Sequence, residues 1–285
     1  MTTLYESAYA KINLTLDVLG VRPDGYHALK SVMQTVSLCD DIEIDIGTGK
    51  PWCLKCEAEG VPLDQRNLAW KAAEVFLDAI GKDPEGLEIR MVKCIPSQAG
   101  LGGGSSDAAA IFRALNRHYG MPMTTQALAD LSAKVGSDVP FCVLGGTVMV
   151  EGRGEFVRSL KPMPECCIVI CKPDFPVSTP ALYRKIDECE ISKHPDNDAM
   201  EAAILAGDLS AIAANVHNVF DPVVAAEHPE IDHIKSVCAD CGALAQQMSG
   251  SGSATFAIMP DHTSAVAACA KLKERYHQVF IAQPV

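Results

Sequence analysis

The sequence predicts an α+β protein in two parts, and two observations carry that prediction. A glycine-rich run, Pro96-Ser97-Gln98-Ala99-Gly100-Leu101-Gly102-Gly103-Gly104-Ser105-Ser106-Asp107, lies between an alternating segment and a stretch of strong helix formers. Beyond residue 165 the pattern reads strand, helix, helix, strand, helix, strand, and a second glycine-serine run occupies residues 248–254. Strands and helices mixed in this way point to α+β architecture.

Taken in order, residues 8–18 alternate apolar and polar and read as one strand. Side chains on a strand repeat every second residue, so Lys11 and Asn13 share a face. Arg22-Pro23-Asp24-Gly25-Tyr26-His27 follows, with Pro-Asp-Gly a turn signal. A phenol ring beside an imidazole there either packs in an ordinary turn or holds a planar heterocycle by stacking and hydrogen bonding. Residues 31–38 and 41–46 read as two antiparallel strands, and the run 47–51 breaks the pattern. Residues 67–80 form an amphipathic helix with Leu68, Ala72, Val75, Phe76 and Ile80 close to one face.

Residues 87–95 read as the strand before the glycine run, and the helix after it extends to Tyr119, with Gly120 as its terminator. Lys93, at the strand end, is either a surface lysine or a nucleotide contact. Residues 124–131 form a capped helix. In Gly136-Ser137-Asp138-Val139-Pro140-Phe141 the carboxylate either caps a short helix or stands half-buried among apolar neighbours, poised for chemistry. Residues 145–154 read as a strand ending in a turn, and punctuation over 154–164 marks a boundary. Two domains follow from it, residues 1–155 and 156–285.

In the second half, residues 166–171 read as a buried strand and 172–176 as a loop. A helix opens at Thr179-Pro180 and carries Tyr183 in its first turn. Residues 187–198 are an acidic connector, expected to be solvated and mobile. Helices over 199–206, 209–214, 229–239 and 263–276 and strands over 255–259 and 279–282 complete the chain.

The glycine run is the chemical centre. Glycines let the backbone turn sharply and approach a ligand. Ser105, Ser106 and Asp107 are expected to cap the helix that follows. Unpaired N–H groups and the positive end of the helix dipole then converge on one spot, an anion site and foremost a phosphate site. It is not a P-loop, because no Gly-Lys-Ser/Thr closes it. It imitates a dinucleotide fingerprint, but the second strand of that motif is missing, since residues 124–131 read as helix.

Composition narrows the function. The chain has 285 residues, 48% hydrophobic, with a formal charge of −12, which argues against nucleic-acid binding. No apolar run is long enough to span a membrane and no signal peptide is apparent, so a cytoplasmic enzyme is expected. Most of the twelve cysteines stand in apolar runs and read as reduced, buried thiols. Cys53/Cys56 and Cys238/Cys241 have C-x-x-C spacing but no histidine partner nearby, so no metal site is assigned to them.

Together the motifs resemble the GHMP kinase superfamily. Pro96 to Ser106 match its Pro-x-x-x-Gly-Leu-Gly-x-Gly-Ser-Ser loop, and Ser249-Gly250-Ser251-Gly252-Ser253 resembles its C-terminal motif. Ala8 to Leu14, Arg22 to His27 and Gly136 to Phe141 resemble the family that acts on 4-diphosphocytidyl-2-C-methyl-D-erythritol in the non-mevalonate isoprenoid route. The likeness runs almost end to end. It implies an N-terminal domain like ribosomal protein S5 domain 2 and a C-terminal ferredoxin-like α/β sandwich. It implies ATP-dependent phosphorylation of the substrate's 2-hydroxyl, with Lys11 and Asp138 as the catalytic pair. Pro96, Ser97, Gln98, Ala99, Gly100, Leu101, Gly102, Gly103, Gly104, Ser105 and Ser106 would hold the ATP phosphates. Asn13 would lie near the reacting hydroxyl, Tyr26 and His27 would hold cytosine, and Tyr183 would cover its other face. Mg²⁺ would accompany ATP, with Ser105 or Ser106 on its ligand side. The partners implied are small molecules, and the oligomeric state stays open. The alternatives are another kinase of the superfamily, acting on mevalonate, homoserine or a sugar, a dinucleotide-dependent oxidoreductase, or a nucleotide-binding protein without catalysis.

Overall fold

In the computed structural model, which describes residues 1–285, one long strand organises the first half. Strands β1 (Thr2–Asn13) and β2 (Thr15–Val21) are separated by a bend at Leu14, where a single strand over 8–18 had been expected. The third strand, β3, runs without interruption over His27–Ile46. The two strands expected there are one, because no glycine or proline breaks Cys39-Asp40-Asp41. The buried Asp40 side chain instead accepts from the backbone N–H groups of Cys94 and Ile95 across the sheet. Along one edge of β3 lie β1 and then β2.

After β4 (Cys53–Cys56), helix α1 (Leu68–Ile80) starts on an Asn67 cap that accepts from Ala69 N and stops at left-handed Gly81. Strand β5 (Leu87–Val92) pairs with the far end of β3. Helix α2 (Gly103–His118) begins inside the glycine run. Its cap is Gly102, with no side-chain cap bond, so Ser105, Ser106 and Asp107 are not the caps expected of them. Helices α3 (Thr125–Ser132) and α4 (Val139–Leu144) follow. Strand β6 (Thr147–Gly152) pairs with β3, and β7 (Phe156–Ser159) with β6. The four helices cover one face of this sheet around Phe76, Phe112, Ile44 and Ile89.

The second half begins with β8 (Cys167–Lys172) and α5 (Thr179–Glu188). Helices α6 (Asn197–Ala206) and α7 (Leu209–Asn215) lead to β9 (His217–Asn218), which returns to pair with β2 in the first sheet. Helices α8 (Asp221–Ala225) and α9 (Glu230–Asp240) precede β10 (Ala245–Met248) and β11 (Thr255–Met259). Helix α10 (His262–Lys273) and β12 (Gln278–Ala282) close the chain. The second sheet has the order β10-β11-β8-β12, all antiparallel, with α9 and α10 on one face. That order and cover make a ferredoxin-like sandwich.

Alternation in β8 shows how one strand serves two cores. Ile168 and Ile170 pack toward the first sheet with Ile12, Val32 and Leu101, while Val169 and Cys171 pack under α9 and α10. The connector between α5 and α6 is not free. His194 Nδ1 lies 2.7 Å from Asp17 Oδ1, and Asn197 Oδ1 accepts from Thr15 Oγ1 at 2.6 Å, so buried polar groups of β2 tie it down. No helix is long and apolar enough to cross a membrane.

Candidate active site

The two glycine runs meet at the end of β1. Lys11 N donates to Leu101 O, Ala254 N to Ala99 O, and Ser249 Oγ to Gly100 O at 3.0 Å. The approach is so close that a Cβ on Gly100 would stand 2.0 Å from Ser249 O, and one on Gly102 3.0 Å from Lys11 Cγ. Both residues have φ of +72°, which an L side chain rarely adopts. Glycine here sets contact between two loops as well as room for a ligand. The second loop is held by buried Asn218, whose amide donates to Met248 O and Gly250 O, both at 2.8 Å.

On one side of this junction opens a cleft of about 460 Å³. It is lined by the run from Pro96 to Ser105, by Arg66, Asn67 and Leu68 at the start of α1, and by Lys93. Ser106 does not line it; its hydroxyl donates to Tyr9 O at 2.6 Å. The first N–H groups of α2 have no partner within the helix, and Gly103, Gly104 and Ser105, which carry them, line this cleft.

Beneath the loop, Lys93 is buried between two carboxylates, Asp40 and Asp107. It is not the surface lysine that one reading of its position at the strand end allowed, and it lines the cleft. Burial opposes its charge, and Asp107 and Asp40 outweigh that, so its pKa rises. Burial pushes the Asp107 carboxyl up to about 7; Lys93 pulls it down and Asp40 adds to the rise. Asp107 Oδ1 has no hydrogen-bond partner.

On the other side lies a cleft of about 550 Å³ that shares Gly100, Gly102, Thr179 and Ser251 with the first. Lys11, Asn13, Tyr26, His27, Asp138 and Tyr183 all line it. Lys11 Nζ donates to Asn13 Oδ1 at 2.7 Å and stands 3.6 Å from Asp138 Oδ2. Asn13 Nδ2 in turn donates to Ser31 Oγ at 2.9 Å. Asp138 occupies the cap position of α4 but makes no capping bond, so its carboxylate is free to face the cleft. Its side chain is 34% exposed, against 4% for Lys11.

The aromatic residues are arranged differently from a simple clamp. His27 stacks on Tyr183, with centroids 4.6 Å apart and planes at 27°, so no base fits between them as they stand. Tyr26 is largely exposed, and the Arg153 guanidinium lies over its ring, 5.1 Å from the centroid. Tyr183 also meets Phe220 edge-on. Sequence reasoning missed Arg153, Asn218 and the Ser249–Ser251 contacts, although glycine-serine alternation had marked the last of these. Cys53/Cys56 and Cys238/Cys241 lie on β4 and around the end of α9, in separate layers, and all twelve cysteines are free thiols.

Comparison with known proteins places this geometry. Residues 67–146 match the GHMP kinases N terminal domain, and residues 200–278 match GHMP kinases C terminal. A 4-diphosphocytidyl-2-C-methyl-D-erythritol kinase of Clostridium tetani is 40% identical over 278 residues, covering 98% of this chain and 99% of its own. The chain belongs to the 4-diphosphocytidyl-2-C-methyl-D-erythritol kinases. A relative of the same name from Caldicellulosiruptor saccharolyticus is 42% identical, covering 93% of this chain and 91% of its own. A crystal structure of a 4-(cytidine 5'-diphospho)-2C-methyl-D-erythritol kinase superposes with a TM-score of 0.81 at 30% identity, covering 98% of both chains. A homoserine kinase from Cytophaga hutchinsonii shares the fold, with a TM-score of 0.78 at 19% identity, covering 100% of this chain and 95% of that one. In this chain the glycine junction, both clefts and the Lys11–Asp138 pair stand at one end of β1.

Proposed function

We propose that the chain transfers the γ-phosphoryl group of ATP to the 2-hydroxyl of 4-diphosphocytidyl-2-C-methyl-D-erythritol. One observation carries the reading. Lys11 and Asp138 face each other in the aromatic-lined cleft, which shares Gly100, Gly102, Thr179 and Ser251 with the glycine-loop cleft. A donor in the first and an acceptor in the second would meet beside that pair. The names of the full-length relatives favour the cytidyl substrate.

Phosphoryl transfer asks for alignment and charge neutralisation more than for covalent chemistry. Backbone N–H groups at the start of α2 hold the phosphate oxygens. Asp138 accepts the proton of the attacking hydroxyl, and Asn13 lies close enough to orient that hydroxyl. Lys11, 3.6 Å from Asp138 Oδ2, offsets negative charge that builds on the transferring group. The residues suit a hard divalent cation: Ser105 and Asp107 both line the cleft, and the buried Asp107 Oδ1 lacks a partner. Mg²⁺ bound with ATP supplies further neutralisation of the phosphate oxygens. Tyr26 offers its ring to cytosine for stacking, and His27 offers a ring nitrogen.

The test is ADP release with ATP and Mg²⁺, offering the cytidyl compound beside mevalonate, homoserine and galactose. Turnover confined to the cytidyl compound supports the reading. Turnover with another alcohol instead discards the base-binding role of Tyr26 and His27 and keeps the phosphate loop.

A further inference from the structure

Helix α5 holds His27 at two points. Tyr183 stacks on the ring, and Asp187, four residues later on the same helix face, places Oδ1 2.7 Å from His27 Nε2. The histidine side chain is 13% exposed and lines the second cleft. No protein group hydrogen-bonds its Nδ1. A carboxylate only accepts, so the proton shared with Asp187 sits on Nε2. In the neutral ring Nδ1 is then an acceptor, with its tautomer set by the bond at the other nitrogen.

We infer that Asp187 is a positioning residue that makes His27 read cytosine against uracil, an inference resting on the function proposed above. Cytosine carries an exocyclic amino donor at C4, and uracil carries a carbonyl acceptor there. An Nδ1 fixed as acceptor bonds the amino group and opposes the carbonyl. Asp187 touches no substrate atom in this scheme. It acts through the tautomer and orientation of His27, and Tyr183 keeps the ring from turning.

The test has two arms. Nitrogen-15 NMR of the wild-type protein near pH 8, with the His27 signal assigned by its loss in His27→Gln, reads the tautomer directly. The Nε2–H form is the expected result, and the Nδ1–H form overturns the inference. In the kinetic arm, kcat/KM is measured for the cytidyl substrate and its uridyl analogue. Asp187→Ala should cut the cytidyl-over-uridyl preference about tenfold or more, with KM for ATP unchanged and recovery in Asp187→Glu. An equal loss for both compounds, or an unchanged preference, makes Asp187 a structural tie and overturns the inference. If the wild-type enzyme does not phosphorylate the cytidyl compound at all, the functional reading fails first, and the two failures stay distinct.

Discussion

Lys11 Nζ lies 3.6 Å from Asp138 Oδ2, although 127 residues separate them in the chain. The lysine is buried on β1 and already donates to Asn13, so its position is fixed. The aspartate heads α4, half open to the cleft, and spends no hydrogen bond on its helix. One charge is held by the sheet and the other is left accessible, as the proposed role of Asp138 as base requires.

Asp138→Asn should therefore lower kcat by about two to four orders of magnitude, the usual weight of a positioned base. ATP affinity should hold, because the glycine loop is untouched. Near-normal turnover would remove the base assignment.

Tyr26→Ala should raise KM for the cytidyl substrate, by the ~1–3 kcal/mol of one base stacked on one ring. The ring is exposed and carries only Arg153, so the melting temperature should barely move. An equal fall in ATP affinity would make Tyr26 structural.

Gly100→Ala should break the junction between the two loops. The new methyl would meet Ser249 O at 2.0 Å, on a residue whose φ is +72°. Backbone strain alone is worth on the order of 1–3 kcal/mol, and the overlap adds to it. Calorimetry and nucleotide titration should show a lower melting temperature and weaker ATP binding. Unchanged values in both would contradict the contact.

The Asp40–Lys93–Asp107 group predicts a pH effect on stability. Asp107 titrates near 7 when folded against 3.8 for a free side chain, because it is buried. Between those values the folded chain keeps a proton that the unfolded chain has released. Wild-type stability from this group is full below about pH 4, falls as pH rises, and is lost above the folded pKa. Asp107→Asn removes that term, so melting curves of the metal-free proteins should diverge between pH 4 and 8, with the wild type losing ground. Parallel curves would refute the assignment.

Much of this was legible in the sequence. The glycine run declared itself through composition, and its strand and helix through periodicity. Lys11 and Asn13 share a face as strand alternation requires. What the sequence hid was pairing over long separations. Asp40 bonds Cys94 and Ile95 across the sheet, and β1 pairs with β3 straight through Cys39, Asp40 and Asp41, so β3 runs on where the sequence predicts two strands. Strand β10, Ala-Gln-Gln-Met, lacks the branched and aromatic residues that mark strands and is formed by its partner β11. The stacking of His27 on Tyr183 is tertiary contact, invisible to local pattern.

The most direct test of the central claim is phosphorus-31 NMR of a reaction containing the enzyme, Mg²⁺, ATP and the cytidyl-diphospho-methylerythritol. The account predicts ADP and one new phosphomonoester signal on the 2-oxygen of the methylerythritol, absent with Asp138→Asn. A new signal on another oxygen, or ADP with inorganic phosphate alone, would contradict it.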